Sequence, residues 1–288
     1  MRIAVMADIH GNHIALEACL AEAKRRGAEE YLFLGDYLGD LPYPQRTLAR
    51  LEEVCQAHPC TFIRGNKEEY WIDHLNGRHA DWVWSDGSSS TGMLKYDYDR
   101  LTEEQILRFA AMPIAKEMRY PGCPAFTICH GSPWKVNQSL REDYPYIDEA
   151  AQRLETELTV CAHFHIQCKY VRWGKTVVNP GSVGVPLRSG GRTQFLLLSD
   201  IRGQWREEFI TLPYDVDAVI REMEEERLLE QAPGWSRVTR HMLPGGPVTH
   251  MEALARASAL CARHTGKTEW KNIPETYWNM ALEELGVP

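Results

Sequence analysis

The chain is predicted to be an α/β protein whose strands form a mixed sheet or two packed sheets. Three observations point there. Short β-rich apolar runs recur along the sequence, and amphipathic helical stretches separate the early ones. After about residue 158 the strands follow one another with little helix between, which departs from a purely doubly wound pattern.

Taken in order, runs at 3–7, 31–34, 61–63, 125–129, 158–162, 176–178 and 195–198 are β-rich and largely apolar, as strands buried on both faces require. Residues 14–26 carry apolar side chains at helical spacing, end in cations and meet Gly27 as a stop. Residues 47–57 form a second helical segment of this kind. Residues 67–124 interrupt the rhythm and read as an insertion over one end of the sheet. They hold Trp71, Trp82 and Trp84, a serine-rich loop at 85–90, and a helix near 102–112. Thr102 is its expected N-cap, with Gln105 at the capping-box position. From about Pro213 the chain is helical and charged, with one helix over 215–231, another over 248–264, and a Pro/Gly-rich link around 244–247. The expected organisation is a domain at 1–212 carrying the 67–124 insertion, followed by a helical extension at 213–288.

Composition narrows the function. An apolar fraction of 44% over 288 residues suits a globular protein with a full core. A formal net charge of -8 without a long basic run disfavours non-specific nucleic-acid binding. No apolar run approaches a membrane span, and the N-terminus lacks the length and cleavage site of a signal peptide. The eight cysteines form no C-x-x-C pair and are expected as reduced, mostly buried thiols of a cytoplasmic protein.

The chemistry gathers where the strands end. RIAVMAD delivers Asp8 and then His10, YLFLGD delivers Asp36, and TFIRGN delivers Asn66. FTICH delivers His130, and TVCAHFH delivers His163 and His165. In open α/β sheets ligands bind at the carboxyl ends of strands, so these side chains can converge from distant parts of the chain. Imidazoles, carboxylates and one amide, without thiolate, suit manganese, iron or zinc, with manganese the first expectation. The set is too large for one tetrahedral ion. It suits two octahedral ions sharing a carboxylate, about 3.5–4 Å apart, which would clamp a phosphoryl group.

The ordered motifs DIHGN (8–12), GDYLGD (35–40), GNKEE (65–69), HGSP (130–133), AHFH (162–165) and NPGSVG (179–184) resemble the calcineurin-like metallophosphoesterases. More narrowly they are similar to the small bacterial phosphodiesterases and dinucleoside-polyphosphate hydrolases of that superfamily, over residues 1 to about 212. The resemblance implies a two-sheet sandwich flanked by helices. It also implies one metal on Asp8, His10, Asp36 and His165, and a second on Asp36, Asn66, His130 and His163. Asp36 would be the bridge, and a water or hydroxide between the ions the nucleophile. Asn12 and the NPGSVG turn are expected as supports beside the substrate. Where the family often has a histidine after the asparagine, this chain has Lys67, a cation able to stabilise charge on oxygen. Ala162 replaces the glycine usual before the two histidines and keeps both imidazoles.

The expected catalytic group set is therefore Asp36, Asn66 and Lys67, with Arg188 and Asn12 toward a small phosphorylated substrate, a nucleotide among the candidates. The tryptophans of the insertion suit either a nucleobase platform or a small core of their own. Trp235, Trp270 and Trp278 in the C-terminal helices suit packing within the chain, with a homodimer contact as the alternative. The competing functional class is a non-catalytic scaffold on the same fold, similar to the retromer subunit that shares it.

Overall fold

In this computed structural model residues 1–78, 82–266 and 269–288 are described. Residues 79–81, inside the expected insertion, lie outside them. The chain runs through β1 (Arg2–Met6), α1 (His13–Arg25), β2 (Glu30–Phe33), α2 (Pro44–Ala57), β3 (Cys60–Phe62) and α3 (Asn66–Leu75). Next come α4 (Gly92–Tyr98), α5 (Glu103–Ala111), β4 (Ala115–Met118), β5 (Phe126–Cys129), α6 (Ile147–Arg153) and β6 (Leu158–Val160). Then follow β7 (Cys168–Arg172), β8 (Lys175–Asn179), β9 (Thr193–Asp200) and β10 (Trp205–Leu212). The last part is helical: α7 (Val216–Glu225), α8 (Leu228–Gln231), α9 (Pro233–Met242), α10 (His250–Thr265) and α11 (Glu275–Glu284).

Two five-stranded mixed sheets result, in the orders β10-β9-β1-β2-β3 and β4-β5-β6-β8-β7. Strands β1, β2 and β3 run parallel in the first sheet, and β5, β6 and β8 in the second. Alternation along β1 explains the layering, because successive side chains point to opposite faces. Ile3, Val5 and Ala7 meet Phe126, Ile128, Val160 and Val178 between the sheets. Ala4 and Met6 face the other way, onto Leu16 and Cys19 of α1 and onto Trp71 and Phe109 of the helices beyond. The outer face of the second sheet packs on α6 through Cys161, Tyr170, Ile147 and Leu154. The expected α/β sandwich with helices on both outer faces is the observed one.

Three strands escape a reading of apolar runs: β4, β7 and β10. All three are sheet edges. Edge strands carry charged residues on their open rims, here Lys116 and Glu117, Lys169 and Arg172, and Arg206 to Glu208, so no continuous apolar stretch marks them. The expected helix over 215–231 is broken into α7 and α8 at Arg227, which takes a left-handed φ of 55°. Glu224, Glu225 and Glu226 crowd the C-terminal end of α7, where the helix dipole disfavours anions, and the turn then lets Leu228 become fully buried. The cap of α5 is as expected: Thr102 Oγ1 accepts from Gln105 N at 3.2 Å, and Gln105 Oε1 accepts from Thr102 N at 3.0 Å.

The eight cysteines are free thiols. Among the described residues no helix is long and apolar enough to cross a membrane. Trp71 is fully buried in the main core and donates to Leu94 O at 3.0 Å, so it is no platform for a ligand. Trp84 stacks on His74 with centroids 4.0 Å apart, and Trp82 meets Trp270 edge-on at 5.1 Å. The C-terminal helices pack within the chain, joining Met93 and Tyr96 of α4, Leu41 and Val185 in one apolar cluster around Trp278.

Candidate metal centre

The carboxyl ends of the parallel strands of both sheets meet at one edge. Asp8 and His10 follow β1, Asp36 follows β2, Asn66 opens α3 after β3, His130 follows β5, and His163 and His165 follow β6. Backbone hydrogen bonds tie these turns together: Asp8 N to Gly35 O at 3.1 Å, His10 N to Asp36 O at 2.9 Å, and Ala162 N to His130 O at 2.7 Å. The NPGSVG turn after β8 locks on from the side. Gly184 N and Ser182 Oγ both donate to Asp8 O, at 3.0 and 2.7 Å. Asp8, His10, Asp36, His163 and His165 all have positive φ, between 51° and 76°. Left-handed backbone at non-glycine residues costs roughly 1–3 kcal/mol each, and such strain concentrates at functional sites.

Gly184 shows how tightly the turn is packed, since a Cβ there would overlap the carbonyl oxygen of Ile9. Gly184→Ala is expected to lower stability by about 3 kcal/mol, because neither backbone segment can yield without moving Asp8. Chemical denaturation measures it; a variant as stable as the parent would refute the tight-packing account.

The imidazoles are held in one tautomer. His130 Nδ1 donates to Leu34 O at 2.7 Å and His165 Nδ1 donates to Val185 O at 3.0 Å. His10 Nδ1 lies 2.8 Å from Asp40 Oδ2. Each ring therefore offers Nε2 to the site, the arrangement that orients metal-binding histidines. Two groups of side chains each offer ligand atoms that lie within 4.8 Å of one another: Asp8, His10 and His165, and Asp8, Asp36 and His130, with Asp8 common to both. Asp36, of the second group, also faces the first, with Oδ2 3.8 Å from His10 Nε2 and Oδ1 3.5 Å from His130 Nε2. Asn66 Oδ1 joins the second cluster, 3.1 Å from His130 Nε2. His163 stands beside it, its ring 5.2 Å from that of His130, and donates its backbone N–H to Asp8 Oδ2 at 3.2 Å.

Two features fit a cation. Asp8 Oδ1 is buried and accepts no hydrogen bond among the described residues. His10 Nε2 and His165 Nε2 face each other at 3.1 Å. With His165 Nδ1 engaged by Val185 O and His10 Nδ1 facing the Asp40 carboxylate, neutral rings would present lone pair to lone pair, which a positive ion between them satisfies. The charges agree. Burial works against the Asp8 carboxylate, but His165, His130 and His10 hold its pKa down at about 2. Burial and the neighbouring His130 push His163 down to about 4, so its ring is neutral at ordinary pH, as a metal ligand must be.

The remaining expected residues divide. Lys67 is not solvated: it is 9% exposed, and Nζ pairs with Asp40 Oδ1 at 3.0 Å. Burial opposes its charge, yet Asp40 and Asp36 raise its pKa, so it stays a cation. Asn12 is 1% exposed and holds the scaffold: Oδ1 caps α1 through Ala15 N at 3.0 Å, and Nδ2 donates to Gly184 O at 3.0 Å. That geometry makes it a support and not a substrate contact. Arg188 is exposed on the loop after NPGSVG, next to Leu187, whose N–H bonds His165 O at 3.0 Å.

Two residues inside the quoted motifs have roles that the motifs alone did not convey. Asp40, the last residue of GDYLGD, bridges His10 and Lys67. Glu68 accepts from Gly65 N, Asp36 N and Tyr37 N at 2.8 to 2.9 Å. Its spacing from Gly65 is that of a capping box, which was the available signal.

Comparison with known proteins identifies the fold and the family. The model of the calcineurin-like phosphoesterase superfamily domain matches residues 1–202. The uncharacterized protein MJ0912 of Methanocaldococcus jannaschii is 23% identical over 245 residues, covering 79% of this chain and 94% of that protein. The hypothetical protein PH1004 of Pyrococcus horikoshii superposes with a TM-score of 0.67 at 23% identity, covering 85% of this chain and 99% of the other. A metallophosphoesterase from Sphaerobacter thermophilus gives 0.62 at 21%, covering 81% and 99%. These structural likenesses establish the shared fold, and the family model, spanning most of the sequence, shows that the chain belongs to the calcineurin-like phosphoesterase superfamily.

Proposed function

We propose that the protein is a hydrolase that cleaves a small phosphodiester or a nucleotide phosphoanhydride with a pair of divalent cations, manganese the first choice. The observation that carries this reading is the position of Asp36, whose two carboxylate oxygens turn toward imidazoles of opposite halves of the site. Asp8, His10, Asp36 and His165 would hold one cation, and Asp36, Asn66, His130 and His163 the other. Bound there, divalent ions supply Lewis acidity to a phosphoryl oxygen and lower the pKa of a water.

The chain's own groups do the rest. Leu34 O, Val185 O and Asp40 fix the rings of His130, His165 and His10, so the donor geometry is set before any substrate arrives. Lys67 presents a fixed ammonium. One of its three hydrogens is engaged by Asp40, which leaves two for oxygens of a phosphate or a leaving group. With its pKa raised by Asp40 and Asp36, the Lys67 ammonium gives up a proton poorly, so its role in this reading is electrostatic rather than that of a general acid. The division into a phosphoesterase domain at 1–212 and a helical extension at 213–288 belongs to the same reading. A small substrate is favoured because Trp235 of the extension reaches Asp40 and covers the Lys67 side of the site.

The test is a screen of purified, manganese-loaded protein against mononucleotides, cyclic nucleotides, dinucleoside polyphosphates and bis-p-nitrophenyl phosphate. Turnover of at least one class is expected; absence of turnover on all of them would count against the reading. Lys67→Met is expected to lower kcat/KM on the preferred substrate by ~10²-fold, as loss of a charge-stabilising donor does, with bound metal retained. Steady-state kinetics beside metal analysis checks it, and unchanged kinetics would remove Lys67 from the mechanism.

A further inference from the structure

Residue 235 lies outside the stretch that the family model matches, yet its side chain enters the site. Asp40 is 1% exposed, and a carboxylate so buried must be satisfied by donors. Three reach it. His10 Nδ1 lies 2.8 Å from Oδ2, and Lys67 Nζ and Trp235 Nε1 approach Oδ1 at 3.0 and 2.7 Å. The indole is a neutral donor with one fixed direction, so it satisfies the carboxylate without disturbing the Asp40–Lys67 charge balance. Its ring also stands 5.0 Å from Lys67 Nζ, a cation–π contact that replaces water on the ammonium.

Trp235 is itself held in place. His250 stacks on it with centroids 4.2 Å apart and planes 8° from parallel, and Trp278 meets it edge-on at 6.3 Å. Thr239 Oγ1 lies 2.8 Å from His250 Nε2. The start of α9 is pinned to the serine-rich loop, where Gly234 N donates to Ser89 Oγ at 2.6 Å. A continuous set of contacts thus runs from the packing of α9, α10 and α11 to two groups at the metal centre.

We infer that the C-terminal helices supply a positioning residue to the active site: Trp235, by its indole N–H and ring face, fixes the Asp40 carboxylate and with it the Lys67 ammonium and the His10 imidazole. This rests on the phosphoesterase reading above. Two consequences separate the two arms. At saturating manganese, kcat reports Lys67, while the affinity for manganese reports His10.

The test uses the full chain with Trp235→Phe, which keeps a ring but removes the N–H. At saturating manganese, kcat on the preferred substrate should fall on the order of tenfold with KM little changed, the usual effect of losing a hydrogen bond to a charged group. Manganese affinity, titrated by electron paramagnetic resonance, should weaken by about tenfold, as when a partner of a metal-binding histidine is lost. In a Lys67→Met background the kcat effect should shrink to less than about twofold, because residues acting through one another are not additive. Should Trp235→Phe not fold, site-specific 3-benzothienylalanine at 235 preserves shape and stacking without the N–H and carries the same measurements. Equal kcat effects in both backgrounds, or unchanged kcat and manganese affinity, would overturn the inference. A parent protein that binds no manganese and turns over no substrate would overturn the phosphoesterase reading along with it. A parent that does both beside an unaffected 235 variant would overturn this inference alone.

Discussion

Asp36→Asn is expected to abolish turnover, by ~10³-fold or more, a loss typical of removing a group that stabilises transition-state charge. The reason is local. Asp36 Oδ1 already accepts the Lys67 N–H at 2.9 Å and faces His130, while Oδ2 faces His10. An amide offers one acceptor and turns a donor toward an imidazole nitrogen, so one half of the site loses its carboxylate. The fold should survive, because the side chain shares no apolar packing. Hydrolysis of bis-p-nitrophenyl phosphate with manganese, measured beside circular dichroism, checks both parts. A folded variant with parental activity would rule out the proposed role of Asp36.

The second large effect concerns stability. Glu68→Ala should destabilise the protein by about 3–5 kcal/mol, since three buried N–H groups, those of Gly65, Asp36 and Tyr37, lose the carboxylate that accepts from them at roughly 1–3 kcal/mol each with partial relaxation. Glu68 is fully buried, and burial together with Asp36 raises its pKa to about 7, against the N–H groups of Tyr37 and Asp36, which favour the carboxylate. The same crowding explains Gly65, where a Cβ would overlap Asp36. Urea denaturation should show the midpoint falling well below that of the parent. A Glu68→Ala protein of parental stability would mean that water or a side chain replaces the carboxylate at no cost.

The layers and the donor set were legible in the sequence because both follow from buried strands. A strand covered on two faces must be apolar, and its carboxyl end is where the polar residue appears. For that reason Asp8, Asp36, Asn66 and His130 could be placed from the sequence in the turns that follow the strand ends. The edges were illegible for the opposite cause. In β10 Arg206, Glu208 and Phe209 are exposed on an edge strand, so no apolar run marks it. Lys67 was ambiguous because its partner, Asp40, stands in another loop and only tertiary packing joins them. Trp235 gave no signal at all: a tryptophan among charges is ordinary core by pattern, and its N–H finds Asp40 only because α9 folds back over the site.

The positions of bound cations test the two-metal proposal most directly. Crystals soaked in manganese and measured for anomalous scattering should give two peaks roughly 3.5–4 Å apart. One should lie among Asp8, His10 and His165, the other among Asn66, His130 and His163, with Asp36 touching both. A single peak, or two peaks without Asp36 between them, would contradict it.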